Sequence, residues 1–302
     1  MTSRPAPTFI GGTGRSGTHV LARLLDRHPQ LASVPIEARF HCNVRGMPDL
    51  LGGRVSLEGY VEKLRGFWWH RVRVDDQPRG LYNLMPRARF DAAVAEFEAG
   101  YRDDPVGACR QLFWGLLGPW AEGAGKPRLV EMSSHNIKEA QTLRRLFPDA
   151  RFVHAVRDGR DAASSVTTKT WGPDDVISAI GWWADRLRAI ETGVRAEEDG
   201  TEFHLPADRL GVTVLDELVA DDGDAAYRAL LDHVGVEDAP EMRAFFESEM
   251  SAATANHGRW AAGLGAFGRR RVRRRYERTL AALEAEGNHA APPLIAAYEK
   301  HG

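Results

Sequence analysis

The chain is poor in the residues that staple or anchor a protein. Two cysteines, Cys42 and Cys109, stand among 302 residues. That is too few for a disulfide framework, and they read as reduced, half-buried thiols. No stretch approaches the roughly 18 apolar residues of a membrane helix, and no apolar segment follows a basic start. The expectation is a cytoplasmic protein without span or secretory signal. Charge of one sign is lacking as well: the formal net charge is -2, which carries no nucleic-acid footprint. Internal repeats and low-complexity linkers are missing, so residues 1–302 are expected to form a single domain. What is abundant is apolar residue, at 43%. This excludes bulk disorder and provides for an ample core.

Against that background one stretch stands out, Gly11-Gly12-Thr13-Gly14-Arg15-Ser16-Gly17-Thr18 after the apolar Thr8-Phe9-Ile10. It reads as strand, glycine-rich turn and helix from about Gly17 to Arg27. Backbone N–H groups and the positive end of a helix dipole then converge on one point, which suits a phosphate or sulfate-like anion. A nucleotide-triphosphatase loop is excluded, because Thr18 rather than Lys follows Gly17 and the only cation, Arg15, lies inside the loop. Gly12, Gly14 and Gly17 also satisfy G-x-G-x-x-G, with Glu37 about 20 positions on. A dinucleotide site therefore stays open on this motif alone.

A second motif runs from Arg151 to Val166. Phe152–Val156 reads as a buried strand, Asp158-Gly159 as a turn, and a helix starts near Arg160. Arg157 falls at the strand end and Ser165 two turns into the helix. An Arg with a hydroxyl partner can clamp a second phosphate.

Together these motifs resemble the sulfotransferases that use 3′-phosphoadenosine 5′-phosphosulfate (PAPS), in particular the bacterial branch similar to tyrosylprotein sulfotransferases. The resemblance implies that an R-S-G-T loop holds the 5′-phosphosulfate and that Arg157 and Ser165 hold the 3′-phosphate. Leu215-Asp216-Glu217-Leu218-Val219 is similar to the family's E-D-L segment. Gly258-Arg259-Trp260 resembles the loop closing over the nucleotide, with Arg259 reaching its phosphates. The implied fold is α/β: a P-loop-like parallel sheet flanked by helices, with a helical acceptor-side insertion at about 40–125. The implied co-substrate is PAPS, its product 3′,5′-ADP, and no metal is called for.

In this reading Gly14, Arg15, Ser16, Gly17, Thr18 and His19 bind the 5′-phosphate side. Arg15 stabilises the leaving phosphate as sulfuryl transfer proceeds. Glu37, in Pro35-Ile36-Glu37-Ala38-Arg39, is the expected general base for an acceptor hydroxyl; the alternative is a surface Glu paired with Arg39. One departure is Met132, where many relatives carry a lysine. Ser133, Ser134 or His135 then replaces it, or one of the serines caps the following helix. The run Arg269-Arg270-Arg271-Val272-Arg273-Arg274-Arg275 reads as a solvated helix face balanced by nearby acids, or as an attractor of anionic lipid, nucleic acid or PAPS. Two other classes stay in view: an NAD(P)-dependent oxidoreductase, and a non-catalytic nucleotide-binding relative. The acceptor is a small-molecule, carbohydrate, lipid or peptide hydroxyl.

Overall fold

The computed structural model describes residues 4–71, 79–198, 201–206 and 208–302. Strand β1 (Thr8–Gly12) leads through the glycine turn to α1 (Thr18–Asp26) and then to β2 (Leu31–Ser33). A helical stretch follows, made of α2 (Met47–Leu51), α3 (Leu57–Lys63), α4 (Arg87–Gly100) and α5 (Pro105–Gly123). It matches the expected insertion. The break expected at Asp75–Gly80 falls mostly outside the described residues. Next come β3 (Arg128–Glu131), α6 (Ala140–Leu146), β4 (Arg151–Val156), α7 (Gly159–Val166) and α8 (Val176–Val194). An antiparallel pair, β5 (Arg195–Glu198) and β6 (Thr201–His204), precedes β7 (Leu210–Val214). The chain ends in α9 (Leu215–Leu218), α10 (Asp224–Val234), α11 (Pro240–Glu249), α12 (Ala266–Ala285) and α13 (Ala291–His301).

Five strands form one parallel sheet in the order β2-β3-β1-β4-β7. Thr8 pairs with Val130 on one side and Arg151 on the other, and Gly12 pairs with Ala155. Strand alternation sends Ile10, Val130 and Val153 to the face covered by α1, α10 and α11. Phe9, Leu129 and Phe152 face α5 and α6 instead. Phe9 is fully buried among Phe113, Phe147 and Phe152, each with its ring centroid 5.7–5.9 Å away. Truncating it to Ala would cost about 3–5 kcal/mol. Both cysteines are fully buried, more deeply than expected.

Two helix boundaries differ from the sequence reading. The helix expected from Asn136 begins at Ala140. Asn136 spends its side chain on Ile10 O (2.9 Å) and on the Glu131 carboxylate (2.6 Å), tying a turn across two strands. The long helix expected to reach Glu197 stops at Val194, where the chain enters the antiparallel pair. Helices α11 and α13 were not anticipated.

Candidate anion and transfer site

The first turn leaves β1 at the sheet's carboxyl edge. Gly14, Arg15 and Gly17 have φ of 84°, 61° and 93°. Gly17 is the left-handed residue immediately before α1, and a Cβ there would lie 2.8 Å from Leu215 Cδ2. A Cβ on Gly12 would lie 2.4 Å from both Ala155 O and Ser16 Oγ. Only glycine allows this packing of turn against β4. Ser16 and Thr18 are buried, while Arg15 and His19 are exposed. The Ser16 hydroxyl is buried with no protein partner.

The second turn leaves β4, the neighbour of β1. Asp158 caps α7 by accepting from Arg160 N at 2.7 Å, and its carboxylate also holds the Arg160 guanidinium. That guanidinium lies 4.7 Å from the ring centroid of Trp260, which is buried as core. Arg157 is buried and donates to the carbonyls of Ala255 (2.6 Å) and Asn256 (3.0 Å); its Nε has no partner. The two turns meet: Arg15 Nε donates to Ser165 Oγ at 2.8 Å, across 150 residues. Arg15 and Ser165 are thus brought together, and Arg157 directly follows β4, the strand beside β1.

The late loop is tied to the second turn. Asp161 on α7 accepts from Gly258 N (2.7 Å) and Trp260 N (2.9 Å). Burial pushes the Asp161 pKa up, against those two bonds. Asp216 accepts from Asp158 N (2.6 Å) and pairs with His257 Nδ1 (2.9 Å). The bond to Asp216 pushes the His257 pKa up. Asp161, Asp216 and His257 are close enough to share a cation, but each carboxylate already serves backbone N–H groups. Arg259 is exposed and donates to Asn256 Oδ1 at 3.2 Å.

Glu37 lies beyond β2 and is 8% exposed, so it is not a surface acid. It does pair with Arg39, as the alternative reading held, and Arg71 Nη2 lies 4.0 Å away. Ser134 N is 3.4 Å from its other oxygen, which joins Glu37 to the segment after β3. Beneath it lies a network that the motif reading did not single out. The fully buried Glu131 carboxylate receives Ala38 N (3.1 Å), Ser133 N (2.9 Å), Ser133 Oγ (2.7 Å), His41 Nε2 (3.0 Å) and Asn136 Nδ2 (2.6 Å). Burial opposes its charge, but His41, Asn136 and Ser133 overcome this and hold its pKa at about 2. Burial likewise opposes a charge on His41, and its neighbours Cys42 and Glu131 raise its pKa well above the ordinary value. The one signal in sequence was an acid closing the apolar strand Leu129-Val130-Glu131.

Met132 is buried in the apolar layer beneath α1 and faces away from the crevice. Ser133 is engaged with Glu131 and with Arg39 N, and neither serine caps α6. A cleft beside the first turn is lined by Gly12, Thr13, Ser134, His135, Lys138 and Arg186. Arg186 stacks 4.2 Å from the Trp182 ring centroid, its Nε is buried without a partner, and burial lowers its pKa. Burial, then Arg39, Lys138 and Arg186, push the His135 pKa down to about 4. Positive charge therefore gathers where Met132 supplies none. Lys138 and Arg186 were missed in the sequence because they come from separate elements.

The dinucleotide alternative loses its footing here. In such sheets β2 adjoins β1 and its terminal acid meets the ribose. In this chain β3 separates β2 from β1, and Glu37 is engaged with Arg39 and Ser134.

A model of the sulfotransferase family matches residues 7–240. The chain is 25% identical over 161 residues to protein-tyrosine sulfotransferase A of Caenorhabditis elegans, covering 53% of this chain and 33% of that protein. It is 28% identical over 187 residues to protein-tyrosine sulfotransferase 1 of Homo sapiens, covering 61% and 40%. The chain thus spans well under half the length of these relatives. Among solved structures, the sulfotransferase domain of the Synechococcus PCC 7002 olefin synthase superposes with a TM-score of 0.51 at 19% identity, covering 91% of this chain and 94% of that one. The sulfotransferase domain of the curacin biosynthetic pathway gives 0.52 at 18% identity, covering 93% and 99%. These two likenesses establish the fold.

Proposed function

The chain belongs to the sulfotransferase family, and on that ground we propose that it transfers a sulfuryl group from PAPS to an acceptor hydroxyl. The observation that carries the reading is the contact between the two turns, Arg15 Nε to Ser165 Oγ at 2.8 Å, at the carboxyl ends of adjacent parallel strands. Two separate anion sites on one crevice suit a nucleotide with phosphate at both 3′ and 5′ positions. The unpartnered Ser16 hydroxyl and Arg157 Nε are donors awaiting acceptors of that kind.

In this reading the 5′-phosphate sits on the N–H groups and hydroxyls of residues 14–18, with His19 beside it. The 3′-phosphate sits on Arg157 and Ser165, and Arg259 covers it. Glu37 takes the acceptor proton while the acceptor oxygen bonds to sulfur. The bond from sulfur to the bridging phosphate oxygen breaks, and Arg15 receives the charge left on 3′,5′-ADP. Lys138 and Arg186 supply the positive field along the transfer path. Residues about 40–125 form the acceptor side, and residues 1–302 work as one domain. A phenolic hydroxyl is the first acceptor to try, since the curated relatives named above are protein-tyrosine sulfotransferases.

The test is calorimetric titration of 3′,5′-ADP against wild type and an Arg157→Ala/Ser165→Ala variant. The expected loss is at least tenfold, and nearer a hundredfold, from removing a charged hydrogen bond worth about 1.5–3 kcal/mol. Failure of the wild type to bind overturns the reading.

A further inference from the structure

The arginine run of the sequence is not absorbed by this site. It lies on α12, where Val272, Tyr276, Leu280 and Leu283 are buried and fix the helix on the core. The six arginines of Arg269–Arg275, and Arg278 a turn on, are all exposed. Among the described residues none of them forms an ion pair with an acid, whereas arginines elsewhere on the surface commonly do. The expected balancing by nearby acids is partial: Asp175 feels the charge of Arg271, and Glu277 lies within the band. Glu277, the acid within the band, accepts from Tyr298 OH at 2.8 Å. Arg269, Arg270, Arg273 and Arg274 line one open groove with Ala266 and Glu277. From Arg269 to Arg278 the band runs about 14 Å along the helix.

At its N-terminal end stands Phe267, 82% exposed, the most exposed large apolar side chain among the described residues. It precedes Arg270, Arg271 and Arg274 by three, four and seven positions, so it shares their stripe. A ring left in water beside seven guanidinium groups that form no ion pair among the described residues has two unmet needs. A bilayer interface with anionic headgroups meets both: the ring inserts at the boundary while the arginines lie on the phosphates. We propose that the outer face of α12 is a docking surface for an anionic membrane. This proposal does not rest on the assignment of the transfer site.

The experiment is sedimentation of the full chain with vesicles of phosphatidylcholine alone and with vesicles that also contain phosphatidylglycerol. A duplex DNA oligonucleotide serves as the competing polyanion. Wild type is expected to partition onto the anionic vesicles only, with binding lost at high salt. An Arg270→Glu/Arg273→Glu/Arg274→Glu variant is expected to lose about a hundredfold in partitioning, at about fivefold per basic residue. Phe267→Ala is expected to weaken it by a smaller factor with the salt dependence unchanged. These positions are solvent-facing, so the variants should melt like wild type and bind 3′,5′-ADP equally. Equal partitioning of wild type onto both kinds of vesicle overturns the proposal. So does unaltered binding by the triple variant, or tighter binding to the duplex than to anionic vesicles.

Discussion

Glu131→Gln is the perturbation whose size follows most directly from the structure. The carboxylate is fully buried and receives five donors, one of them from His41. Glutamine keeps the shape, turns one oxygen into a donor and leaves His41 with no counter-charge. Removing one partner of a buried pair costs about 3–5 kcal/mol. Linkage gives a similar figure: the gap from the ordinary 4.5 to about 2, at 1.36 kcal/mol per unit, is about 3 kcal/mol. Because the folded-state pKa is lowered, that stability is present in full above pH 4.5. It is lost as pH falls toward 2. At neutral pH the variant should therefore melt on the order of 10 °C lower, at about 2–4 °C per kcal/mol. Between pH 4.5 and 2 the difference from wild type should shrink. The assay is thermal unfolding by circular dichroism across that pH range. A neutral-pH midpoint within about 3 °C of wild type would refute the reasoning, since even a His41 that sheds its proton in the variant leaves the network without its charge-assisted bonds.

Three further outcomes are expected. Glu37→Gln should lower turnover by about a hundredfold or more while 3′,5′-ADP affinity is kept; near-normal transfer of labelled sulfate would remove Glu37 from the role of base. Arg186→Ala should reduce kcat/KM by about tenfold to a hundredfold with 3′,5′-ADP binding unchanged, and equal loss of ADP binding would argue for a structural role instead. His257 has its pKa raised by Asp216, so the stability it contributes is complete below its ordinary value and fades as pH rises through the folded one. Amide exchange at residues 255–260, corrected for intrinsic rate, should therefore quicken above neutral pH in wild type but not in His257→Gln.

The turns were legible because each is local: an apolar strand, glycine or Asp-Gly, then a helix start. Strand β1 and helix α1 fall within a residue or so of their expected bounds, and so does β4. The order of the strands was not legible, since Thr8 finds its partners at Val130 and Arg151, more than a hundred residues away. The Glu131 network joins His41 to residues 90 and 95 positions on. Lys138 lies in the turn before α6 and Arg186 on α8, and only the packing of α8 brings them to one cleft. Met132 shows the complementary case. The sequence reveals that a cation is missing there, and strand alternation explains why an apolar residue fits, because that position turns into the core under α1.

The strand order also constrains synthesis. In the main sheet β1 pairs only with β3 and β4, so it has no partner until Glu131 has been added and no second one until Val156. At about 5–20 residues per second, the ribosome leaves that strand unpaired for on the order of 6–24 s. The helices of the insertion can condense locally in that interval, whereas the glycine turn after β1 cannot take its shape. Substitutions that slow completion of β4 should thus lower the yield of soluble chain more than they lower the stability of what has folded.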